Sequence, residues 1–173
     1  MEDAVFGMLT FVPKNWSGGV AYWEKPYFLG LFNAAIPLRI YADDCGPTEA
    51  QRQVYLTFQQ AEKTLKPELQ SALFEFYQSE REVYAAVYAD ICADDSLGLS
   101  EEEFVPVLKT SAEIWKILTP DSWVIDEARE NRDTVIYCHG CWDIEHGFSI
   151  LFNEGRLVGI ESVGGIFHVT PSS

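Results

Sequence analysis

A long helical zone between two β-rich ends restricts the fold of this chain more than any other feature. From Pro47 to about Ala89, apolar side chains recur every three or four residues, the spacing that places them on one face of a helix. Thr48 and Gln51 form a capping-box pattern just after Gly46-Pro47, so a helix should begin there. The zone therefore predicts helices that bury one face against the rest of the chain.

Lys66-Pro67 interrupts this zone, because proline is well tolerated in a helix only in its first turn. We therefore predict that one helix ends there and a second begins with Pro67. The apolar seams are Val54, Phe58, Ala61 and Leu65 before the break and Leu69, Leu73, Phe76, Tyr84, Val87 and Ile91 after it. Helices separated by so short a break are expected to pack as an antiparallel pair.

Short apolar and aromatic runs on both sides of this zone predict β-strands. The predicted strands are 5–12, 19–23 and 36–42 before the helices and 123–127, 133–141, 147–153, 156–161 and 166–170 after them. Asn153-Glu154-Gly155 fits a three-residue hairpin loop with Gly155 in the left-handed conformation. Thr110 and Glu113 repeat the capping-box spacing and predict one further short helix.

These elements predict a single α+β domain over residues 1–173, a length that suits one hydrophobic core. Antiparallel β-meanders at both ends are expected to pack against the central antiparallel helix pair, with one short helix added.

Net charge narrows the classes of partner. The chain carries 27 acidic against 12 basic residues, a formal net charge of −15. A field of that sign repels nucleic acid and anionic lipid and attracts basic proteins. We therefore expect a basic protein partner and neither nucleic acid nor membrane.

The expected location is the cytoplasm. The start of the chain has acids at Glu2 and Asp3, where a secretory signal needs basic residues. The longest apolar run, residues 28–38, is too short to span a bilayer. Four cysteines in such a chain are expected to be free thiols.

Acidic residues are most concentrated in residues 90–103, which contain no base. The segment resembles a calcium-binding loop, but setting Gly98 at the sixth position places Ala93, Leu97 and Phe104 at positions that need oxygen ligands. We interpret it instead as a solvated acidic loop followed by a helix capped by Ser100. The acids predicted to contact a partner here are Asp94, Asp95, Glu101 and Glu102.

Residues 138–147 hold the densest set of reactive side chains, with two of the four cysteines and two of the three histidines. Cys138, His139, Cys141 and His146 offer metal ligands, and either thiol beside a histidine suggests a nucleophile. However, a second Cys-x-x-Cys pair is absent, and strand alternation places the two cysteines on opposite faces. The other interpretation is a hairpin with core cysteines and an Asx-turn at Asp143. Its tip would present Trp142, Asp143, Glu145 and His146 to a partner.

Three segments carry a resemblance to a known family: Ile114–Pro120, the turn Trp142-Asp143-x-Glu145-His146-Gly147, and the hairpin Phe152–Val158. Together they resemble a family of uncharacterised bacterial domains found in small acidic cytosolic proteins. Some members are encoded near polymorphic toxin systems. The resemblance implies an immunity or other binding role and supplies no catalytic residue and no cofactor.

The leading hypothesis is a non-enzymatic binding domain, an immunity-type protein that neutralises a basic effector such as a toxin domain through its acidic surface. The alternative is a metal-dependent or thiol-dependent enzyme centred on Cys138, His139, Cys141 and His146. A third interpretation is an interaction module whose partner is a second copy of the chain. The sequence does not indicate an oligomeric state.

Overall fold

One eight-stranded mixed sheet forms most of the structure, a computed structural model that describes residues 1–14, 19–92, 100–129, 132–162 and 165–169. Only the backbone is described for residues 90–92, 127–129 and 144. The strands of this sheet are β3 (Thr10–Val12), β4 (Tyr22–Leu29), β5 (Ala34–Ile40), β6 (Leu118–Arg129), β7 (Arg132–Gly140), β8 (Asp143–Asn153), β9 (Arg156–Ser162) and β10 (Gly165–His168). Strands β1 (Glu2–Asp3) and β2 (Gly7–Met8) form a separate two-stranded sheet.

The two predicted meanders are halves of one sheet, which corrects the predicted fold class. The spatial order is β10-β9-β8-β7-β6-β5-β4-β3, and neighbouring strands are antiparallel except for the parallel pair β5 and β6. Leu38 lies opposite Trp123 and Ile40 opposite Ile125, and the Tyr41 N–H donates to the Ile125 carbonyl at 2.9 Å. A parallel pair needs a long crossover connection. Residues 41–117, which contain the helices, provide it.

The predicted helix pair is also wrong, because α1 is one helix of 44 residues, Glu49–Cys92, with Pro67 inside it. Leu65 and Leu69 are both buried and four residues apart, so the buried face continues without a shift across the proline. Pro67 itself is exposed, and the Lys63 carbonyl that lacks its usual donor also belongs to an exposed residue. Burial of the seam on both sides outweighs the one lost hydrogen bond.

The predicted start of α1 is confirmed. The Thr48 N–H donates to the Gln51 side-chain oxygen at 2.9 Å, and the Gln51 N–H donates to the Thr48 hydroxyl at 3.3 Å. One turn further, the Arg52 guanidinium contacts the buried Asp3 carboxylate at 2.8 Å. Burial alone would raise the pKa of Asp3, but hydrogen bonds from Arg52, Phe6 and Val5 lower it to about 2. These contacts fix the N-terminal strands to the first turns of α1.

The core lies between α1 and one face of the sheet. Trp123 of β6 is fully buried there, with its ring centroid 4.6 Å from that of Phe58 in α1 and 4.7 Å from that of Tyr27 in β4. On β7, Ile136 and Cys138 belong to this core. Because side chains alternate along a strand, Tyr137 and His139 lie on the opposite face, which we call the open face of the sheet.

The β8–β9 hairpin has the predicted left-handed glycine, but its loop is shorter than predicted. The β8–β9 hairpin has a two-residue loop, Glu154 (φ 50°) and Gly155 (φ 72°), because Asn153 pairs directly with Arg156. The left-handed Gly155 is as predicted, although the loop is not three residues long. A Cβ atom there would lie 2.9 Å from the Ala61 Cβ, so glycine also allows the hairpin to contact α1.

The other two helices in the described part of the chain are short and begin at the predicted caps. Ser100 and Glu103 form the capping box of α2, Glu101–Phe104. The other predicted helix is a 3-10 helix, Ser111–Lys116, where the Glu113 carboxylate accepts from the Thr110 N–H at 3.1 Å. Among the described residues, no helix combines the length and apolar character that crossing a membrane requires.

Replacing Pro67 tests the continuity of α1. Pro67→Ala restores the missing N–H donor and should raise the free energy of unfolding by about 1–3 kcal/mol. The exposed neighbouring substitution Glu68→Ala should change it by less than about 0.5 kcal/mol. Chemical denaturation of both variants measures the difference. A neutral or destabilising effect of Pro67→Ala would indicate two helices that meet at the proline.

Candidate functional site

The segment 138–147, which carries most of the predicted site residues, lies where the end of α1 meets the turn between β7 and β8. The Tyr84 hydroxyl of α1 donates to the Asp143 carboxylate at 2.8 Å. The Trp142 ring contacts the Tyr77 ring, with 4.7 Å between centroids. These helix contacts determine which side chains of the segment are buried.

The two cysteines are structural rather than reactive in this arrangement. Cys138 is in the core and 1% exposed, whereas Cys141 lies in the turn, where its thiol contacts the Phe104 carbonyl at 3.4 Å. Burial raises the pKa of the Cys138 thiol well above its ordinary value and that of Cys141 to about 11. Both thiols are therefore protonated near neutral pH, whereas nucleophilic attack requires a thiolate.

The four residues predicted as alternative metal ligands do not assemble into a site. Among the described residues, three ligand atoms lie within 4.8 Å of one another only at Asp43, Asp44 and Cys45, a fully exposed group. No three of the ligand atoms of Cys138, His139, Cys141 and His146 therefore converge in this structure. The geometry gives the metal-dependent enzyme no support.

His139 lies against a glycine on the neighbouring strand. Gly147 has φ 67°, and a Cβ atom there would lie 2.5 Å from the Cys138 carbonyl and 2.9 Å from the His139 Nδ1. The close approach and the positive φ both require glycine at position 147. The His139 Nδ1 is buried without a hydrogen-bond partner.

Asp143 is the best-connected side chain of the segment. Its Oδ1 accepts from the His146 N–H at 3.0 Å, three residues on, so Asp143 does bond a following amide, but not the amide two residues on that the predicted Asx-turn requires. The same Oδ1 is 3.3 Å from the His146 Nδ1, and its Oδ2 accepts from Tyr84. Burial alone would raise the pKa of Asp143, but these hydrogen bonds from His146 and Tyr84 hold it below its ordinary value.

The fold brings two separately predicted acidic regions to one end of the molecule. The Tyr88 ring of α1 lies 5.6 Å from the Phe104 ring of α2, so α2 and the β7–β8 turn both adjoin the last turns of α1. The negative charge of Asp143 also contributes to the raised pKa of Glu80, after burial. We call this region the acidic end; its carboxylates are Glu80, Glu82, Glu101, Glu102, Glu103, Asp143 and Glu145.

The predicted contact residues divide between exposed and buried positions. Glu101, Glu102, Glu145 and His146 are exposed at the acidic end. Trp142 is only 3% exposed and Asp143 only 8%, so both support the turn instead of being available for contact. Asp94 and Asp95 lie outside the described residues.

The last turns of α1 contribute features that the sequence reasoning missed. Val83 is 60% exposed and Val87 39% exposed, although the apolar spacing predicts Val87 in the buried seam. The spacing correctly places Tyr84 in that seam, where it packs against the core, but it does not show that the Tyr84 hydroxyl reaches Asp143. The spacing of apolar residues does not show where a helix extends beyond the sheet that covers it.

A second feature is a polar groove across the open face of the sheet, with a volume of about 490 Å³. We call it the open-face groove. Strands β5 to β9 all contribute to it, including Arg39, Tyr137, His139, His146 and Glu161. The outward position of Arg39 follows from the alternation along β5. However, no local pattern in the sequence predicts that β5 pairs with β6, so the groove that this pairing forms could not be predicted.

Residues 5–167 match the family model described as Domain of unknown function (DUF6985), and the chain belongs to that family. The predicted resemblance to a domain family of unknown function is thereby confirmed. No curated protein and no solved structure matches the chain significantly.

Removing the Tyr84 hydroxyl tests the Asp143 network. Tyr84→Phe should move the pKa of Asp143 up toward its ordinary value and lower the free energy of unfolding by about 1–2 kcal/mol at neutral pH. A carboxylate with a lowered pKa stabilises the fold above its unfolded-state pKa, and this stabilisation is lost as the pH falls through its folded-state pKa. The stability difference from the wild type should therefore shrink in acid. Carboxyl NMR titration and denaturation at several pH values measure both quantities.

The matched control is Tyr137→Phe, because the exposed Tyr137 hydroxyl makes no hydrogen bond within the described chain. It should leave the Asp143 titration unchanged. Equal titration of Asp143 in the wild type and in Tyr84→Phe would contradict the network.

Proposed function

We propose that this domain is a protein-binding domain that engages a basic partner protein through its acidic end. The observation that carries the proposal is the convergence of the last turns of α1, α2 and the β7–β8 turn at one place. In the described parts of these three segments, seven carboxylates stand against one arginine, Arg81.

The charge at this end suits recognition of a basic surface. Glu82, Glu101, Glu102, Glu103 and Glu145 are exposed. Complementary charge accelerates the encounter of two proteins and orients them, while affinity depends mainly on apolar contacts buried at the centre of the interface.

Apolar contacts of that kind are available beside the acids. Val83 and Val87 are one helical turn apart, and Val87 lies next to Tyr84 on the helix surface, so the valines border the side of α1 on which Tyr84 and Tyr88 face the β7–β8 turn and α2. Exposed valines flanked by Glu82 give the acidic end an apolar strip with a charged border, the usual composition of a protein interface.

The narrower proposal is an immunity-type role, in which the bound partner is a toxin domain and binding blocks its activity. Two features support this version: the large excess of acids in the whole chain and the resemblance of its motifs to small acidic domains near toxin loci. Under this proposal the domain needs no cofactor, because inhibition requires only that it cover the effector.

Charge reversal at the acidic end tests the proposal. Wild-type protein should retain a basic protein from a lysate of its host at low salt and retain less at moderate salt, because salt screens exposed charges. Glu101→Lys combined with Glu102→Lys should lose most of this retention. The control pair, Asp44→Lys and Glu154→Lys, reverses two exposed acids near the other end of α1 and changes the net charge equally.

Equal retention by the two double variants would show that net charge, and not the acidic end, attracts the partner. Failure of the wild type to retain any basic protein at either salt concentration would contradict the proposal itself. For the narrower version, the retained protein is expressed alone and together with the domain. Toxicity that the domain relieves is the expected result, and a partner that is harmless when expressed alone would contradict the immunity-type role.

A further inference from the structure

The open-face groove contains hydrogen-bond donors that the protein itself does not use. Arg39 donates through Nε to Glu24 at 3.0 Å, and its two terminal nitrogens make no hydrogen bond within the described chain. A guanidinium has five N–H donors in a rigid fork suited to carboxylate and phosphate. Four of the five donors of Arg39 are therefore available to a ligand.

Two further side chains in the groove have the same property. Arg132 makes one long hydrogen bond, from Nη1 to Glu161 at 3.4 Å, and no other within the described residues. His139 makes no hydrogen bond there, although its Nδ1 is buried. That nitrogen lies against Gly147 and is closed to a ligand, so the ring atom of His139 that can contact a ligand in the groove is Nε2.

The acceptors in the groove are fewer and partly used. The Asp121 carboxylate accepts from the Ser122 hydroxyl at 2.8 Å, and Glu161 accepts from Arg132. The groove thus brings two arginines and two of the three histidines together with two carboxylates, in a chain of net charge −15. Its two arginines balance its two carboxylates, so the groove lacks the excess of negative charge that the chain as a whole carries.

From this surplus of donors we infer that the open-face groove binds a small anionic ligand, through a carboxylate or phosphate group held by Arg39, Arg132 and His139. The volume of about 490 Å³ is within the range of small-molecule sites. A polyanion such as nucleic acid is disfavoured, because the strongly negative protein around the groove would repel its remaining charges. The groove adjoins the acidic end at His146, but none of the carboxylates of the acidic end lines it, and the inference does not depend on the proposal that those acids bind a basic protein.

The test uses the intact protein labelled with ¹⁵N and two probes, inorganic phosphate and succinate, each titrated at constant ionic strength with chloride as the compensating anion. Saturable amide shifts are expected at groove positions on β5, β7 and β8, such as Arg39, His139 and Ser149. Saturation by phosphate alone or by succinate alone identifies which group the site prefers. Either result supports the inference.

Arg39→Gln and Arg132→Gln should each weaken binding by about tenfold, since each removes a charged donor. The matched control is Arg156→Gln, which removes an exposed guanidinium at the β8–β9 hairpin, outside the groove. It should leave binding unchanged. Because two separate arginine variants are used, the test remains decisive if one of them folds poorly.

Three outcomes would overturn the inference. The first is the absence of saturable shifts at the groove with either probe. The second is saturation centred elsewhere, for example at the exposed Lys63 and Lys66 of α1. The third is equal binding by the wild type and by folded Arg39→Gln and Arg132→Gln proteins.

Discussion

The packing of Trp123 is the interaction on which the rest of the structure depends. Its ring contacts Tyr27 from the N-terminal half of the sheet and both Tyr55 and Phe58 from α1. Its Nε1–H donates to the Thr134 hydroxyl on β7, in the C-terminal half. Loss of so large a buried side chain typically costs about 3–5 kcal/mol. One residue therefore joins the two β-rich ends of the chain and the helix between them.

The same arrangement creates both candidate surfaces. A helix of 44 residues is about 66 Å long, whereas the 11 residues of β8, along which α1 lies from Phe58 opposite Phe152 to Tyr84 at Asp143, span only about 37 Å. The last turns of α1 therefore extend beyond the sheet, where α2 and the β7–β8 turn adjoin them and form the acidic end. The parallel pairing of β5 with β6 places Arg39 beside the outer side chains of β6 and β7, which forms the open-face groove.

Local chemistry was predictable from the sequence, because its causes lie within a few residues. The capping boxes at Thr48 and Ser100 and the left-handed Gly155 all depend on residues close to the backbone groups they affect. These features are present as predicted. The strand that contains Cys138 and the hairpin after it also follow from local alternation and turn residues.

Long-range packing was not predictable in the same way. Pro67 has a local cost, and only the burial of the seam on both sides shows that the helix continues through it. Leu38 and Trp123 pair across more than eighty residues of intervening chain, and no short pattern in either strand specifies that partner. Trp142 and Asp143 resemble exposed turn residues until α1 is placed over them. The burial of these two side chains therefore results from contact with α1 and cannot be read from the sequence of residues 138–147 alone.

The most direct test of the single joined sheet is native-state hydrogen exchange across the β5–β6 junction. The Tyr41 amide, which donates to Ile125, and the amide of Ile136 in β7 are the two probes. If both halves belong to one cooperative sheet, both amides should exchange through the same global opening, with equal free energies and equal dependence on denaturant. Exchange of Tyr41 through a smaller opening that leaves Ile136 protected would contradict the account, because the two halves would then unfold independently.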